Sequence, residues 1–383
     1  MPELDTLRGI AVSAVVLFHA FAFAHGLSGL SGIPKMLVGM TMCGWTGVNL
    51  FFVLSGFLIT GILLDTKSRS DYYKRFYFRR ALRILPLYYA VLILLLLVVR
   101  AGLVQRHASW GFLGLSAIYL SNMTDLFGVP MQYGVLWSLA VEEHFYLLWP
   151  AAVRVLSRRK VIACAIAVVA LCLLFRALYS ILGWTGGPYT WLSADGLALG
   201  AVLAGVARQK RDPRISVRRF TFLAFFCCFL LIAMGAPFGL LLARHFLGVT
   251  VRETVIDLFF AGVLGGTLLA GTSRWRGSVN LRAFQFLGRI SYGIYLTHML
   301  IFEIVAHFTS HYFPALQPVA GKFSLMVLQF CVAGSLTIGI AYISRWYFEE
   351  KFLRMKNRVE GQAAARTLSA NRKETRNLEV VAS

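Results

Sequence analysis

Apolar runs of spanning length recur along the chain near 7–26, 44–64, 82–100, 136–156, 161–182, 192–208, 219–242, 254–272, 290–308 and 323–347. Runs this long match the ~20 helical residues that a bilayer core requires. They predict an all-α, polytopic membrane protein of about ten transmembrane helices. The runs place a membrane-embedded domain at 1–352. From 353 the apolar period is lost and Arg, Asn, Glu, Gln and Ala take over, which predicts a polar cytoplasmic tail over 353–383 without fixed structure. The first run, with Arg8 before it and Ala22-Phe23-Ala24 near its end, imitates a signal peptide; it is expected to stay as an uncleaved first span.

The polar segments between the runs alternate in charge. Those from Lys67 to Arg83, Arg154 to Lys160, Arg208 to Arg219 and Arg274 to Arg289 are strongly basic, whereas the intervening ones hold few cations, such as Lys35, Arg106 and Lys322. Every second loop being basic predicts both termini on the cytoplasmic side. The composition agrees: 58% of the 383 residues are hydrophobic and 14% charged, too apolar for a soluble domain. The formal charge of +21 is spread over short loops rather than one hydrophilic module, which excludes nucleic acid as the expected partner and leaves the lipid bilayer. Six cysteines lie mostly inside apolar runs, with no C-x-x-C; they read as packing residues, and no metal site is expected. The long connection 101–135, with Trp110, Tyr119 and Pro130, is expected to be a partly buried cap. Gly196 with Gly200, and Gly262 with Gly266, have the spacing of close helix crossings.

An ionisable group at membrane depth costs about 2.5–3.5 kcal/mol on insertion scales, so each one present asks for a role. Arg8 precedes His19 by eleven residues, which returns to nearly the same helix face about 16 Å along the axis. One face thus offers a cation near the membrane edge and an imidazole at depth. That span suits an acyl-CoA whose nucleotide end is held near Arg8 while its thioester reaches His19. The bland reading is a topology-setting arginine and a histidine bonded to a neighbouring helix. Arg79, Arg80 and Arg83 group at i,i+3 and i,i+4 spacings; guanidinium forks so placed suit phosphate oxygens, although positive-inside anchoring asks for cations here too. Glu142 and Glu143 follow Trp137 into the fourth run. A carboxylate at His19's depth would orient a general base, and the competing reading is a structural ion pair, for example with Arg176. Ser55 has no base beside it by spacing alone. It joins Asn49, Asp195, Asp257, Ser291, Tyr295 and His298 as lining or support.

These residues fall in ordered motifs. Leu4-Asp5-Thr6-Leu7-Arg8-Gly9 with His19, Phe51–Leu58, Arg79–Pro86, Trp137–Tyr146, Asp195-Gly196-Leu197 and Ser291–His298 together make the sequence closely resemble the acyltransferase-3 family of bacterial integral-membrane O-acyltransferases, over about 3–352. The resemblance implies His19 as catalytic base and acyl-CoA as cytoplasmic donor, bound with the help of Arg79, Arg80 and Arg83. It also implies that Glu142 and Glu143 matter for activity. Acetyl-CoA is the expected donor, a cell-surface or lipid-linked glycan hydroxyl the expected acceptor, and the bacterial inner membrane the expected location. Some relatives append an extracytoplasmic hydrolase-like domain, and any second-stage transfer here is expected to need another protein. The alternatives are acylation of a macrolide-type metabolite, and a transporter or flippase that uses the buried polar residues as a proton or substrate path.

Overall fold

A computed structural model describes residues 1–23, 26–104, 107–184, 187–209, 212–240, 245–271, 281–312 and 316–355. The tail expected over 353–383 lies outside the described residues from 356 onward, as do Arg106 and the 272–280 part of the last basic loop. Among the described residues the chain forms helices and turns. They are α1 (Pro2–Leu17), α2 (Gly32–Thr41), α3 (Gly47–Asp65), α4 (Tyr72–Arg100), α5 (Trp110–Ala117), α6 (Leu136–Val155), α7 (Arg158–Ile181), α8 (Thr190–Ser193), α9 (Asp195–Ala207), α10 (Pro213–Gly235), α11 (Phe246–Thr250), α12 (Arg252–Gly271), α13 (Arg282–Arg289), α14 (Ser291–Tyr312) and α15 (Leu316–Ile343).

Among the described residues seven helical stretches are long and apolar enough to cross a bilayer, and α13 with α14, bent by 76°, makes an eighth when counted as one span. The two further runs among the expected ten, 136–156 and 192–208, fold as helices α6 and α9, and each departs from an ordinary lipid-facing span for a physical reason. Helix α6 carries Glu142, Glu143, His144 and Arg154, which dilute its apolar character. Helix α9 has 13 residues, about 20 Å at 1.5 Å per residue. It can be that short because it is buried among its neighbours rather than facing lipid: Asp195 through Gly205 are all buried.

Packing is tightest where side chains are absent. A Cβ on Gly56 of α3 would sit 1.9 Å from the carbonyl oxygen of Leu197, and one on Gly200 would sit 2.1 Å from that of Val53. Helices α3 and α9 therefore touch backbone to backbone, the arrangement that small residues permit between helices without a hydrophobic driving force. The same device joins α1 to α13, where a Cβ on Gly9 would sit 1.9 Å from Phe284 O and one on Gly288 would sit 1.9 Å from Asp5 O. The α1–α3–α9 seam is lined by Leu7, Ala11, Leu50, Val53, Leu54 and Leu203.

The basic loops gather at one end. Arg154 donates to Arg69 O at 3.3 Å, Arg158 donates to Arg208 O, and the Arg208 guanidinium is paired with Asp65 at 2.6 Å. The connection 107–135 docks on the bundle as a cap. Tyr88 and Tyr133 donate to Ser116 O and Leu296 O, both at 2.7 Å, and Phe112 and Tyr133 are fully buried, while Trp110 stays exposed.

Candidate active site

Three cavities share walls in series through the bundle. At the basic end a cavity of about 410 Å³ is lined by Arg8, Arg75, Arg79, Arg80, Arg83, Arg289 and Arg345, against the carboxylates of Asp5 and Glu349. It shares Arg8, Arg80, Arg83, Ser291 and Tyr292 with a narrow passage of about 110 Å³, whose walls also include Ser55, Ser138, Glu142 and Tyr295. The passage in turn shares Val48, Phe52 and Tyr295 with a cavity of about 690 Å³ that contains His19, Asn49, Trp45, Trp137, Trp184, Arg176, Glu253 and Asp257. Arg8 at one end of this path and His19 at the other sit on the same first helix.

His19 lies not in regular α-helix but in a π-helical turn, Phe18–Phe23. Such single-turn π segments insert a residue into the helical ladder and re-aim the side chains beyond it. The His19 Nδ1 is 3.0 Å from Val15 O and 3.2 Å from Nε2 of His298 on α14. Where a carboxylate, Glu142, was expected to orient His19, the side chain that meets Nδ1 is an imidazole, one grouped in the sequence only with lining residues.

Glu142 and Glu143 converge on Arg80. The Arg80 Nη2 is 3.4 Å from Glu142 Oε2, and its Nε is 3.4 Å from Glu143 Oε1. The guanidinium carbon lies 3.6 Å over the Tyr146 ring, a desolvated cation–π contact. Tyr146 Oη donates to Glu142 Oε2 at 3.0 Å, and Ser55 Oγ donates to Glu142 Oε1 at 2.9 Å. Ser55, which spacing left without a base, therefore has a carboxylate beside it. Of the three arginines read as phosphate ligands, Arg80 is engaged by this knot. Arg83 lines both the basic cavity and the passage with its side chain exposed, and makes no ion pair or hydrogen bond among the described residues. Arg79 lines the basic cavity. Arg8 pairs with Asp5 at 3.6 Å.

Arg176, the partner considered for Glu142, belongs to another network. Its Nη2 is 2.5 Å from Asp195 Oδ2 and 2.6 Å from Thr254 Oγ1, and Thr254 donates to the same carboxylate at 2.6 Å. Next to it, Asn49 Nδ2 donates to Asp257 Oδ1 at 2.9 Å and to Glu253 Oε2 at 3.3 Å. This network ties α3, α7, α9 and α12 together and faces the large cavity. Among the described residues no group of three or more His, Cys, Asp or Glu side chains is placed to hold a metal ion.

What the fold and these cavities define is a multi-pass helical membrane protein with a polar path through its bundle. Residues 1–346 match the family described as "Acyltransferase domain", and the chain belongs to that acyltransferase-3 family. It is 34% identical over 168 residues to the peptidoglycan O-acetyltransferase OatA of Listeria monocytogenes, covering 39% of this chain and 24% of that protein. It is 30% identical over 332 residues to the putative peptidoglycan O-acetyltransferase YrhL of Bacillus subtilis, covering 78% of this chain and 48% of the relative. With a putative O-acetyltransferase of Staphylococcus aureus it shares 26% identity over 390 residues, 92% of this chain and 57% of the relative. The chain thus spans from about a quarter to little more than half the length of these relatives. No solved structure matches it.

Proposed function

We propose that the protein is an O-acetyltransferase that moves an acetyl group from acetyl-CoA at the basic, cytoplasmic end to a glycan hydroxyl in the large cavity, with His19 as general base. The observation that carries this reading is the series of cavities: arginines, then a narrow passage, then an imidazole. Clustered guanidinium forks suit the phosphates of a nucleotide end, and Arg79 and Arg83 are assigned to it. The passage admits something slender, as a pantetheine arm is. Glu142 and Glu143 hold Arg80, and Glu142 walls this passage beside Ser55. The large cavity brings Trp45, Trp137, Trp184 and Tyr179 beside Asn49, Glu253 and Asp257. Flat aromatic faces and acidic acceptors are what a sugar ring with several hydroxyls would meet, in keeping with relatives named as peptidoglycan O-acetyltransferases. The basic loops set the cytoplasmic side, and the bacterial inner membrane is the assigned location.

In the reaction, His19 takes the acceptor O–H proton as the oxygen attacks the thioester carbonyl. The C–S bond breaks, and the departing thiolate takes that proton, leaving ester and free CoA. Thioester turnover by the full chain in lipid nanodiscs is the direct test. Loss of turnover in a folded His19→Ala variant supports the reading, and equal turnover removes His19 as base. The through-path also fits a transporter, so acetyl-CoA binding decides between them: a transporter would show none, whereas the enzyme loses donor affinity when Arg79 and Arg83 are neutralised.

A further inference from the structure

His298 lies on α14 with none of its surface exposed, its ring centroid 5.0 Å from that of His19. Its Nδ1 is 2.8 Å from Tyr295 O and 3.0 Å from Ile294 O. Carbonyl oxygens only accept, so this nitrogen carries the hydrogen. In the neutral ring Nε2 is then an acceptor, and it lies 3.2 Å from His19 Nδ1. That nitrogen of His19 also faces Val15 O at 3.0 Å. Val15 O and His298 Nε2 each present a lone pair to His19 Nδ1, and these contacts are favourable only when Nδ1 bears a hydrogen. The other tautomer would set a lone pair against Val15 O and His298 Nε2 at once. In a neutral His19 the lone pair must then fall on Nε2.

We propose that His298 is the positioning residue of this site: together with Val15 O it holds the hydrogen of His19 on Nδ1 and orients the ring, so that Nε2 is the nitrogen that takes the acceptor proton. This rests on the general-base role assigned to His19. When Nε2 takes the proton, the Nδ1–H becomes part of an imidazolium, and its bond to His298 becomes charge-assisted. His298 gains and loses no proton in the step. It performs with a neutral lone pair what a carboxylate does in many general-base pairs, and adds no second charge to a buried position.

The test uses the full chain in nanodiscs, with thioester turnover and ¹⁵N spectra of histidine-labelled protein, the His19 resonances being those absent from His19→Ala. His298→Ala is expected to lose activity about 10- to 100-fold, as outer-shell partners of metal-bound imidazoles do, with donor KM unchanged, and its His19 Nδ1 resonance is expected to shift as the bond to His298 is lost. His298→Gln, whose amide oxygen can accept the Nδ1–H, is expected to stay within about fivefold of wild type. Wild-type activity and an unchanged His19 spectrum in His298→Ala overturn the proposal. So does equal inactivity of Ala and Gln variants with the His19 spectrum unaltered, which marks His298 as packing alone. If wild-type turnover does not depend on His19, the base role fails by itself, while the spectra still report whether His298 bonds His19 Nδ1.

Discussion

Two buried ion clusters face the same polar path, and they are built differently. Arg176 and Asp195 approach to 2.5 Å with side chains 6% and 1% exposed, braced by Thr254. Arg80 shares itself between two carboxylates at 3.4 Å, with 16% to 19% exposure on every partner. The first cluster satisfies one carboxylate with one cation at short range, which suits a clamp between helices. The second is loose, divided and open to the passage, which suits a group whose partners change when something threads past. The difference teaches that charge at membrane depth carries no single meaning: distance and sharing separate the clamp from the adjustable site.

The largest effect expected from breaking that contrast is on stability. Arg176→Ala leaves Asp195 buried and unpaired, and should destabilise the fold by about 3–5 kcal/mol, read as a loss of monodisperse protein and a fall in Tm in detergent. Replacing both partners, Arg176→Met with Asp195→Leu, should recover most of that loss. If the double variant is as unstable as the single, the pair is more than a clamp.

Next in size is an effect on activity with the fold kept. Glu142→Gln retains a hydrogen-bond partner for Ser55 and Tyr146 but removes the charge shared with Arg80, so turnover should fall by at least about tenfold with Tm nearly unchanged, an interaction of the size a positioned polar group supplies. A Tm fall as large as that of Arg176→Ala, with activity per folded molecule intact, would erase the distinction between the clusters.

Much of this arrangement was legible in the sequence, and the limits have a physical cause. Lipid as solvent makes each span announce itself, so the apolar runs located the helices closely. Where burial inside the bundle replaced contact with lipid, as in α9, or where polar residues diluted the run, as in α6, the helix falls short of a lipid-facing span in length or hydropathy, and the run in the sequence still located it. Spacing along one helix put Arg8 and His19 on a shared face, but it says nothing about which other helix meets that face. Ser55 therefore seemed to lack a partner that Glu142 provides from another helix. Arg176 was weighed against Glu142 when its carboxylate is Asp195, 19 residues along the chain. The π-turn at His19 and the meeting of His19 with His298 depend on tertiary packing, and no periodicity encodes them.

The comparison sharpens further at the donor. Arg83 has no ion-pair partner among the described residues and lines both the basic cavity and the passage, so it differs from Arg80 in having no structural bond to lose. Arg83→Gln should raise the acetyl-CoA KM about tenfold, the loss of one charge-assisted contact worth about 1.5–3 kcal/mol in part, and leave kcat and Tm close to wild type. Arg80→Gln should lower kcat as well, because it frees two carboxylates, one of them in the wall of the passage. Identical kinetics for the two variants would mean that both arginines serve the donor alike.

The smallest effect lies at the cap. Tyr88→Phe removes one buried hydroxyl that donates to Ser116 O at 2.7 Å and keeps the ring stacked on Tyr119, 4.4 Å between centroids. A single neutral hydrogen bond contributes about 1 kcal/mol, and somewhat more when its acceptor is left buried. A Tm fall of a few degrees with full activity is therefore expected, measured on the same nanodisc samples. The cap stands over the end of the bundle opposite the arginines, however, and Tyr133 binds it to α14 at Leu296, two residues from where His298 reaches out. If Tyr88→Phe slowed turnover while leaving Tm unchanged, the cap would be shown to act on the site through α14 rather than merely to cover it, and the boundary between scaffold and active site would move outward to include it.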